Sequence, residues 1–286
     1  MRINTLPQSF EYNIRNLYTP IQPAVMGTDG EISYVELAPD AQLQDFIYCY
    51  WNLKTNKPLD DIYNYRVVSD GCIDVVFNCT NHDEAYIMGY CNSFVKIGID
   101  KEFSYFGVRF LPGIFPLLFN IDASELSNHY EHLNIVQPHL YNAIQQSENE
   151  CSCLQNLCNE LNRYFINHIN KTDKLFDNRF FCALETILKS KGLINIEKDL
   201  NDGISSRHLQ RLFNFYIGDT AKSFCRIVRF QNLLKIDPSI KSIKTEKSFY
   251  DFGYYDQTHF IKSLNYFTVR LPQRLLLNKL SDFSYF

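Results

Sequence analysis

Hydrophobic and polar residues alternate in short runs between residues 31 and 110, and turn residues separate the runs. Alternation with a period of two places apolar side chains on one face of a sheet, so these runs predict strands. Turn clusters such as Ser69-Asp70-Gly71 lie between them. Short strands at this spacing predict an antiparallel barrel or sandwich. The predicted strands begin at Glu31, Phe46, Cys72, Ala85, Phe94 and Tyr105.

The hydrophobic period becomes helical after Pro112. At about residues 138–168 apolar residues recur every three or four positions, with an interruption at Ser147. This spacing predicts one interrupted helix or two short helices. The apolar stripe has two interpretations: it packs on the chain's own sheet, or it forms the seam of a homodimer.

The charge balance changes at residues 169–173. Residues 1–171 hold 10 Lys and Arg against 20 Asp and Glu, whereas residues 172–286 hold 18 against 12. The first part is therefore acidic and the second basic, which indicates that nucleic acid would meet the second. We place the domain boundary here, with a β-rich sensing or dimerisation domain at 1–170 and an all-helical domain at 171–286.

Composition narrows the protein class. The 286 residues suffice for two domains, and 45% hydrophobic with 21% charged residues is typical of a globular protein. No apolar run approaches a membrane span of ~20 residues, and the N-terminus lacks a signal-peptide core, so we expect a cytoplasmic protein. The nine cysteines are read as reduced thiols. Cys151-x-Cys153-x4-Cys158 lacks zinc-ligand spacing and is interpreted as helix packing, so neither a metal nor a cofactor is predicted.

The segment 203–213 has the features of a helix-turn-helix. Gly203 can form the tight turn between two helices, and Ser205 can cap the helix that follows. An apolar stripe on that helix would face inward: Leu209, Leu212 and Phe213.

Three polar side chains would remain on the outer face of this helix. Arg207 and Arg211 can each donate two hydrogen bonds to guanine, and Gln210 can pair with adenine. Side chains of these types on one exposed helix face are what a major-groove reading helix needs.

A similar pattern follows about fifty residues later, in the segment 252–264. Gly253 again makes the turn, Phe260 and Leu264 would point inward, and three side chains would face out: Thr258, His259 and Lys262. Between the two patterns, residues 221–235 read as one helix that ends before Pro238. Fifteen residues give about 22 Å of rod, a suitable spacer between two reading helices.

Three sequences in this order carry a resemblance: Ser-Ser-Arg-His-Leu-Gln-Arg-Leu-Phe, Arg-Ile-Val-Arg-Phe-Gln, and Gly-Tyr-Tyr-Asp-Gln-Thr-His-Phe-Ile-Lys. Residues 174–280 resemble the DNA-binding domain of bacterial AraC/XylS transcription regulators. The resemblance implies two helix-turn-helix units joined by a linker helix, with reading helices at about 205–215 and 256–266. It implies double-stranded promoter DNA and RNA polymerase as partners, a homodimer formed through the N-terminal domain, and an effector of unknown identity. It makes six residues the DNA-binding set: Arg207, Gln210, Arg211, Thr258, His259 and Lys262.

The N-terminal half adds a second resemblance. The segments 68–77 and 106–113 resemble the β-rich N-terminal domain of one branch of these regulators, for which no ligand site transfers. Arg109 could pair with an acidic ligand or with Asp70 or Asp74 inside the domain. We favour the internal pair, because a buried charge needs a partner.

Some positions depart from the family pattern. The small residue expected four positions before each turn glycine is Asp199 in one unit and Phe249 in the other, and Ala221 and Val269 replace the Pro and Gly expected after the reading helices. We expect the first scaffold helix to shift its register, with Ile196 and Leu200 as its apolar contacts. These departures support an alternative, a regulator-like protein with weak or lost DNA binding that acts through protein contacts. An enzyme is not expected, because the chain lacks Gly-x-Ser-x-Gly, a phosphate loop and the Pro-Cys-His-Arg acceptor motif of related repair proteins.

Overall fold

A computed structural model describes residues 12–23, 30–81, 83–147, 153–171, 176–200, 203–235 and 248–268. The predicted α+β class is confirmed: antiparallel sheets occupy residues 32–132, and a mainly helical region follows. Within these ranges no helix has the length and apolarity needed to cross a membrane.

Eight strands form two sheets, and every paired neighbour is antiparallel. The larger sheet has the order β1-β2-β7-β4-β5-β8, and β3 pairs with β6 in the smaller one. The strands are β1 (Ile32–Leu37), β2 (Ile47–Thr55), β3 (Tyr63–Val67), β4 (Ile73–Asn78), β5 (Ala85–Met88), β6 (Val95–Ile99), β7 (Ser104–Phe110) and β8 (Tyr130–His132).

The alternation of side chains gives the larger sheet two different faces. On one face, Tyr50, Val75 and Val108 join a core shared with the helices. On the other, Trp51 and Val76 pack in a second, smaller core with residues of β3 and β6. The smaller sheet therefore covers part of one face of the larger sheet, as in the sandwich that the strand spacing predicts.

The helices cover the other face and continue into the C-terminal region. Short 3-10 turns lie at Ala41–Leu43, Ala123–Leu126 and Ser248–Phe252. The α-helices are α1 (Ile14–Leu17), α2 (Ile114–Phe119), α3 (Leu133–Val136), α4 (Pro138–Gln146), α5 (Leu154–Lys171), α6 (Asn178–Lys189), α7 (Ile196–Asp199), α8 (Ser206–Ile217), α9 (Ala221–Lys235) and α10 (Gln257–Thr268).

The apolar stripe at about 138–168 divides between two helices, α4 and α5, as one of the two predicted forms required. Leu140 and Ile144 of α4 and Leu161 and Phe165 of α5 are all at most 1% exposed within the single chain. At these four positions the stripe packs in the chain's own core, which was the first of its two interpretations, and a homodimer stays a prediction.

One hydrophobic core extends from the larger sheet through the C-terminal helices to α10. Phe180 of α6 lies where a Cβ on Gly113, in the turn before α2, would approach its ring to 2.6 Å. Phe224 of α9 contacts Gly71 in the same way, also at 2.6 Å. Both glycines adopt positive φ angles, 80° and 74°. Close packing therefore joins the parts on either side of residue 171.

Candidate DNA-binding surface

The turn and the cap predicted for the first reading helix are both present. Gly203 has a φ of 74°, in the left-handed region that favours glycine. The Ser205 hydroxyl accepts a hydrogen bond from the His208 N–H at 3.3 Å, which satisfies one of the free donors at the start of α8. Gly218, with a φ of 96°, ends the helix.

The two faces of α8 divide as the sequence predicts. Its inward stripe is buried at Leu209, Leu212 and Phe213. The outward residues of α8 are all exposed: Arg207, Gln210 and Arg211. Arg211 Nη2 lies 2.9 Å from His208 Nδ1, so the guanidinium is held against the helix by a neighbour one turn away.

The second unit has the same construction. Gly253 has a φ of 70°. The Asp256 carboxylate accepts from the His259 N–H at 2.6 Å and so caps α10, while Phe260 is buried. The outward side chains of α10 are exposed: Thr258, His259 and Lys262. Leu264 is the one predicted contact of α10 whose side chain lies outside the described structure.

The linker helix α9 spans residues 221–235, as predicted, and contacts the second unit through aromatic and cationic side chains. The ring of Phe230 stacks on Phe267 of α10 with centroids 4.7 Å apart. The Arg226 guanidinium lies over Tyr266, 4.8 Å from the ring centroid. Arg229 Nη1 donates to the Gly253 carbonyl at 3.4 Å, which fixes the turn to the linker.

Asp199 does not lie at a close helix crossing. Asp199 is the last residue of α7, which has only four residues. Its exposed carboxylate accepts a hydrogen bond from the Asn195 N–H at 2.8 Å. Leu200 is buried and Ile196 is packed against the core, so the expected apolar contacts are confirmed. The first departure is thus accommodated locally, whereas the side chain of Phe249 and all of Val269 lie outside the described residues.

A groove in front of α8 was not predicted. It has a volume of about 760 Å³ and lies between α8 and the turn that begins at Asp122. The Ser127 hydroxyl donates to the Gly218 carbonyl at 2.8 Å, so this turn of the sheet-bearing region is fixed to the end of α8. The contact joins residues 91 positions apart, which no local pattern could reveal. The groove is lined by Asp122, Ser124, Ser205, Arg207, His208, Gln210, Arg211, Asn214 and Phe215.

Arg109 makes the internal pair that we favoured. Its guanidinium donates to both oxygens of Asp74, with Nη2 to Oδ2 at 2.8 Å, and its Nε lies 3.7 Å from Asp70 Oδ2. Asp74 is the direct cross-strand partner of Arg109 in the β4–β7 pair. In the cysteine cluster Cys158 is buried and Cys153 is exposed, and Cys151 lies outside the described part.

Comparison with known proteins identifies one domain in the chain. Residues 35–132 match a family described as a domain of unknown function (DUF6597). The match runs from β1 to the last residue of β8 and therefore covers the sheets. No curated protein and no solved structure matches the chain.

Proposed function

We propose that this protein is a sequence-specific DNA-binding transcription regulator that reads adjacent major-groove segments with α8 and α10. The observation that carries the proposal is the repeated construction of the two units. Each has a glycine of positive φ, a capped helix start, buried apolar residues on the inward face and an exposed polar face. The proposal makes double-stranded promoter DNA the partner, and it assigns the chain no catalytic step.

The two reading faces differ in charge, so we expect them to contribute differently. The face of α8 offers two guanidinium groups and an amide, which can make bidentate contacts with base edges. The face of α10 offers one ammonium group, a hydroxyl and an imidazole, of which the ammonium suits a phosphate as a point charge. We therefore propose that α8 supplies most of the sequence discrimination and α10 mainly phosphate contacts.

A comparison of Arg207→Ala with Lys262→Ala tests this division. The full-length protein first selects its sites from random-sequence 40-bp duplexes, and affinity is then measured by fluorescence anisotropy on a selected duplex and on its scrambled version. Arg207→Ala should lose about 1–3 kcal/mol on the selected duplex only. Lys262→Ala should weaken binding to both duplexes by similar factors and reduce the salt dependence.

The matched control is Arg163→Ala, which removes an exposed arginine of α5 that pairs with Glu160 in the same helix. It should leave both affinities unchanged. If Arg207→Ala weakens the two duplexes equally, or if no duplex is enriched by the wild-type protein, the proposal is wrong.

The groove beside α8 supports a second candidate, a regulator-like protein that acts through protein contacts. Asp122 lines the same groove as Arg207 and Arg211, so its carboxylate would repel a DNA phosphate that entered the groove. Binding at low salt separates the candidates. A DNA-binding regulator should bind duplex DNA measurably at 50 mM salt, where counterion release favours binding most, and a protein that has lost DNA binding should not.

A further inference from the structure

A cleft of about 200 Å³ lies between the two sheets, on the side of the larger sheet that faces away from the helices. Its walls are apolar and aromatic, and Tyr130, 59% exposed, lies at its edge. Both sheets contribute residues to its lining, among them Trp51, Leu53, Tyr65, Val76, Ile97 and Tyr105.

A smaller polar compartment of about 30 Å³ adjoins the cleft, and Trp51, Tyr65 and Met88 line both. Arg109, 2% exposed, lines the polar compartment together with Ser69. Two buried polar atoms here have no hydrogen-bond partner among the described residues: Arg109 Nη1 and Ser69 Oγ. An unsatisfied buried donor costs free energy, so such atoms call for a ligand or water.

Each oxygen of the two carboxylates beside Arg109 already accepts at least one hydrogen bond. Asp70 Oδ1 accepts from the Cys72 N–H at 2.9 Å, and Asp70 Oδ2 accepts from Gln22 Nε2 at 2.7 Å. Both Asp74 oxygens accept from Arg109, and Oδ2 also accepts from the Trp51 indole N–H at 3.1 Å. The two groups here that have no partner among the described residues can both donate, Arg109 Nη1 and the Ser69 hydroxyl, so the compartment favours an acceptor over an ammonium group, which only donates.

The charges in the compartment also exclude an anion. Two carboxylates stand against one guanidinium, and protonation of one carboxyl would only make the cluster neutral. The cluster therefore has no excess positive charge that could offset the cost of desolvating an anionic ligand. The compatible head group is a neutral one that accepts hydrogen bonds.

We propose that the cleft binds a small neutral molecule with an apolar body and an acceptor oxygen, the body beside Trp51 and the oxygen on Arg109 Nη1 and Ser69 Oγ. A dry cavity of about 150 Å³ is known to hold benzene, so 200 Å³ suits a body of one ring. The ligand class thus has the size of a cyclic or aromatic amide, ketone or alcohol.

The cysteines of the polar compartment do not make it a reactive site. Burial raises the pKa of Cys91 to about 12 and the pKa of Cys72 well above its ordinary value. Both side chains therefore remain thiols at neutral pH, and a thiol is a poor nucleophile. The chemistry of the site is that of binding.

The loop that forms the polar compartment also contacts the linker helix. The Ser69 carbonyl accepts from Gln231 Nε2 of α9 at 2.9 Å, and Gly71 lies against Phe224 of the same helix. Gln231 is completely buried. A ligand that moves this loop would therefore act directly on α9. This regulatory consequence rests on the proposed function, whereas the binding site does not.

Fluorescence of the single tryptophan tests the site without any DNA. Trp51 is the only tryptophan of the chain, and excitation at 295 nm avoids the 19 tyrosines, so the signal reports this cleft alone. Cyclohexanecarboxamide and cyclohexanecarboxylate have similar shapes, do not absorb at this wavelength, and differ in charge. We expect a saturable change of the Trp51 emission with the amide and at least tenfold weaker binding of the carboxylate.

Two variants locate the binding. Ile97→Phe fills the cleft and should weaken amide binding more than tenfold, whereas Ile135→Phe, at a position 71% exposed on α3, should leave it unchanged. Ser69→Ala removes an unpaired hydroxyl, so it should weaken amide binding about fivefold without lowering the stability of the fold.

The proposal is overturned if the carboxylate binds as tightly as the amide, if neither compound gives a saturable signal, or if Ile97→Phe binds the amide like the wild type. The DNA assay of the full-length protein is separate. If the protein binds the amide but no DNA, the cleft proposal stands and the proposed DNA-binding function is wrong. If it binds DNA but not the amide, only the cleft proposal is wrong.

Discussion

Replacement of Arg109 by methionine should destabilise the fold by about 3–5 kcal/mol at pH 7, because it leaves two buried carboxylates without their cation. Asp74 is the more affected of the two, since its two oxygens both bind the guanidinium. Methionine fills a similar volume, so the loss reports the charge and not a cavity. Urea unfolding followed by Trp51 fluorescence measures it, with Arg163→Met on the exposed face of α5 as the control.

The pH dependence of the same variant gives the sign of the effect. Burial raises the pKa of the Asp74 carboxyl, while Arg109 and the Trp51 indole pull it down by favouring the charged form. Without Arg109 this pKa rises further. A carboxyl with a raised folded-state pKa contributes stability below its unfolded-state pKa and loses it as pH rises through the folded value. The stability gap between variant and wild type should therefore shrink from pH 7 to pH 5, and a gap that widens in acid would contradict the buried pair.

Replacement of Gly107 by alanine should destabilise the protein by about 2–4 kcal/mol. Gly107 lies on the central strand β7, directly opposite Trp51 of β2. An added Cβ would stand 2.0 Å from Trp51 Cε2, so the indole must move off the strand and give up its hydrogen bond to Asp74. The variant should also show a red-shifted Trp51 emission, because the displaced ring leaves its buried position.

Gly98→Ala is the matched control for Gly107→Ala. Gly98 lies on β6 and lines the cleft, and an added Cβ there would stand at an ordinary 3.5 Å from the nearest side chain. Since glycine is unfavourable inside a strand, this variant should be neutral or more stable by about 0.5 kcal/mol. Equal losses in the two variants would mean that the indole is not supported by Gly107.

Alternation in the sequence located six of the eight strands and missed two for different reasons. β3 does alternate, with Tyr63, Tyr65 and Val67 on one side, but turn-forming residues before it obscured the pattern. β8 has only three residues and pairs only with β5, so it is too short to show any period. Its pairing depends on the position of β5, which lies more than forty residues earlier.

Helices α8 and α10 were more predictable than the cleft, because the sequence signals for them are local. The turn at Gly203 and the cap at Ser205 lie within three residues of each other. The internal pair of Arg109 was predicted with Asp70 or Asp74 as its partner, because a buried charge needs one, but the choice of Asp74 depends on the β4–β7 register. The cleft required β3 and β6 to be placed over the larger sheet. Ser69 Oγ has no partner because none of the described elements around it places a hydrogen-bonding group within reach. The hydrophobic pattern of a sequence does not reveal such an arrangement.

The buried Gln231 side chain fixes the orientation of the linker helix α9. Its amide accepts from the Ile21 N–H at 2.8 Å and donates to the Ser69 carbonyl at 2.9 Å, which fixes the rotation of α9 about its own axis relative to the sheets. Successive residues of a helix point about 100° apart around its axis. A rotation of α9 about that axis would therefore turn all the elements that pack on it, including α10. In the proposed regulator the two reading helices must enter the groove at positions set by the helical repeat of DNA. Rotation of α9 about its axis would therefore change the angle at which the second helix meets the DNA relative to the first. The hydrogen bond from the Gln231 amide to the Ser69 carbonyl fixes this angle for as long as the loop at Ser69 keeps its position.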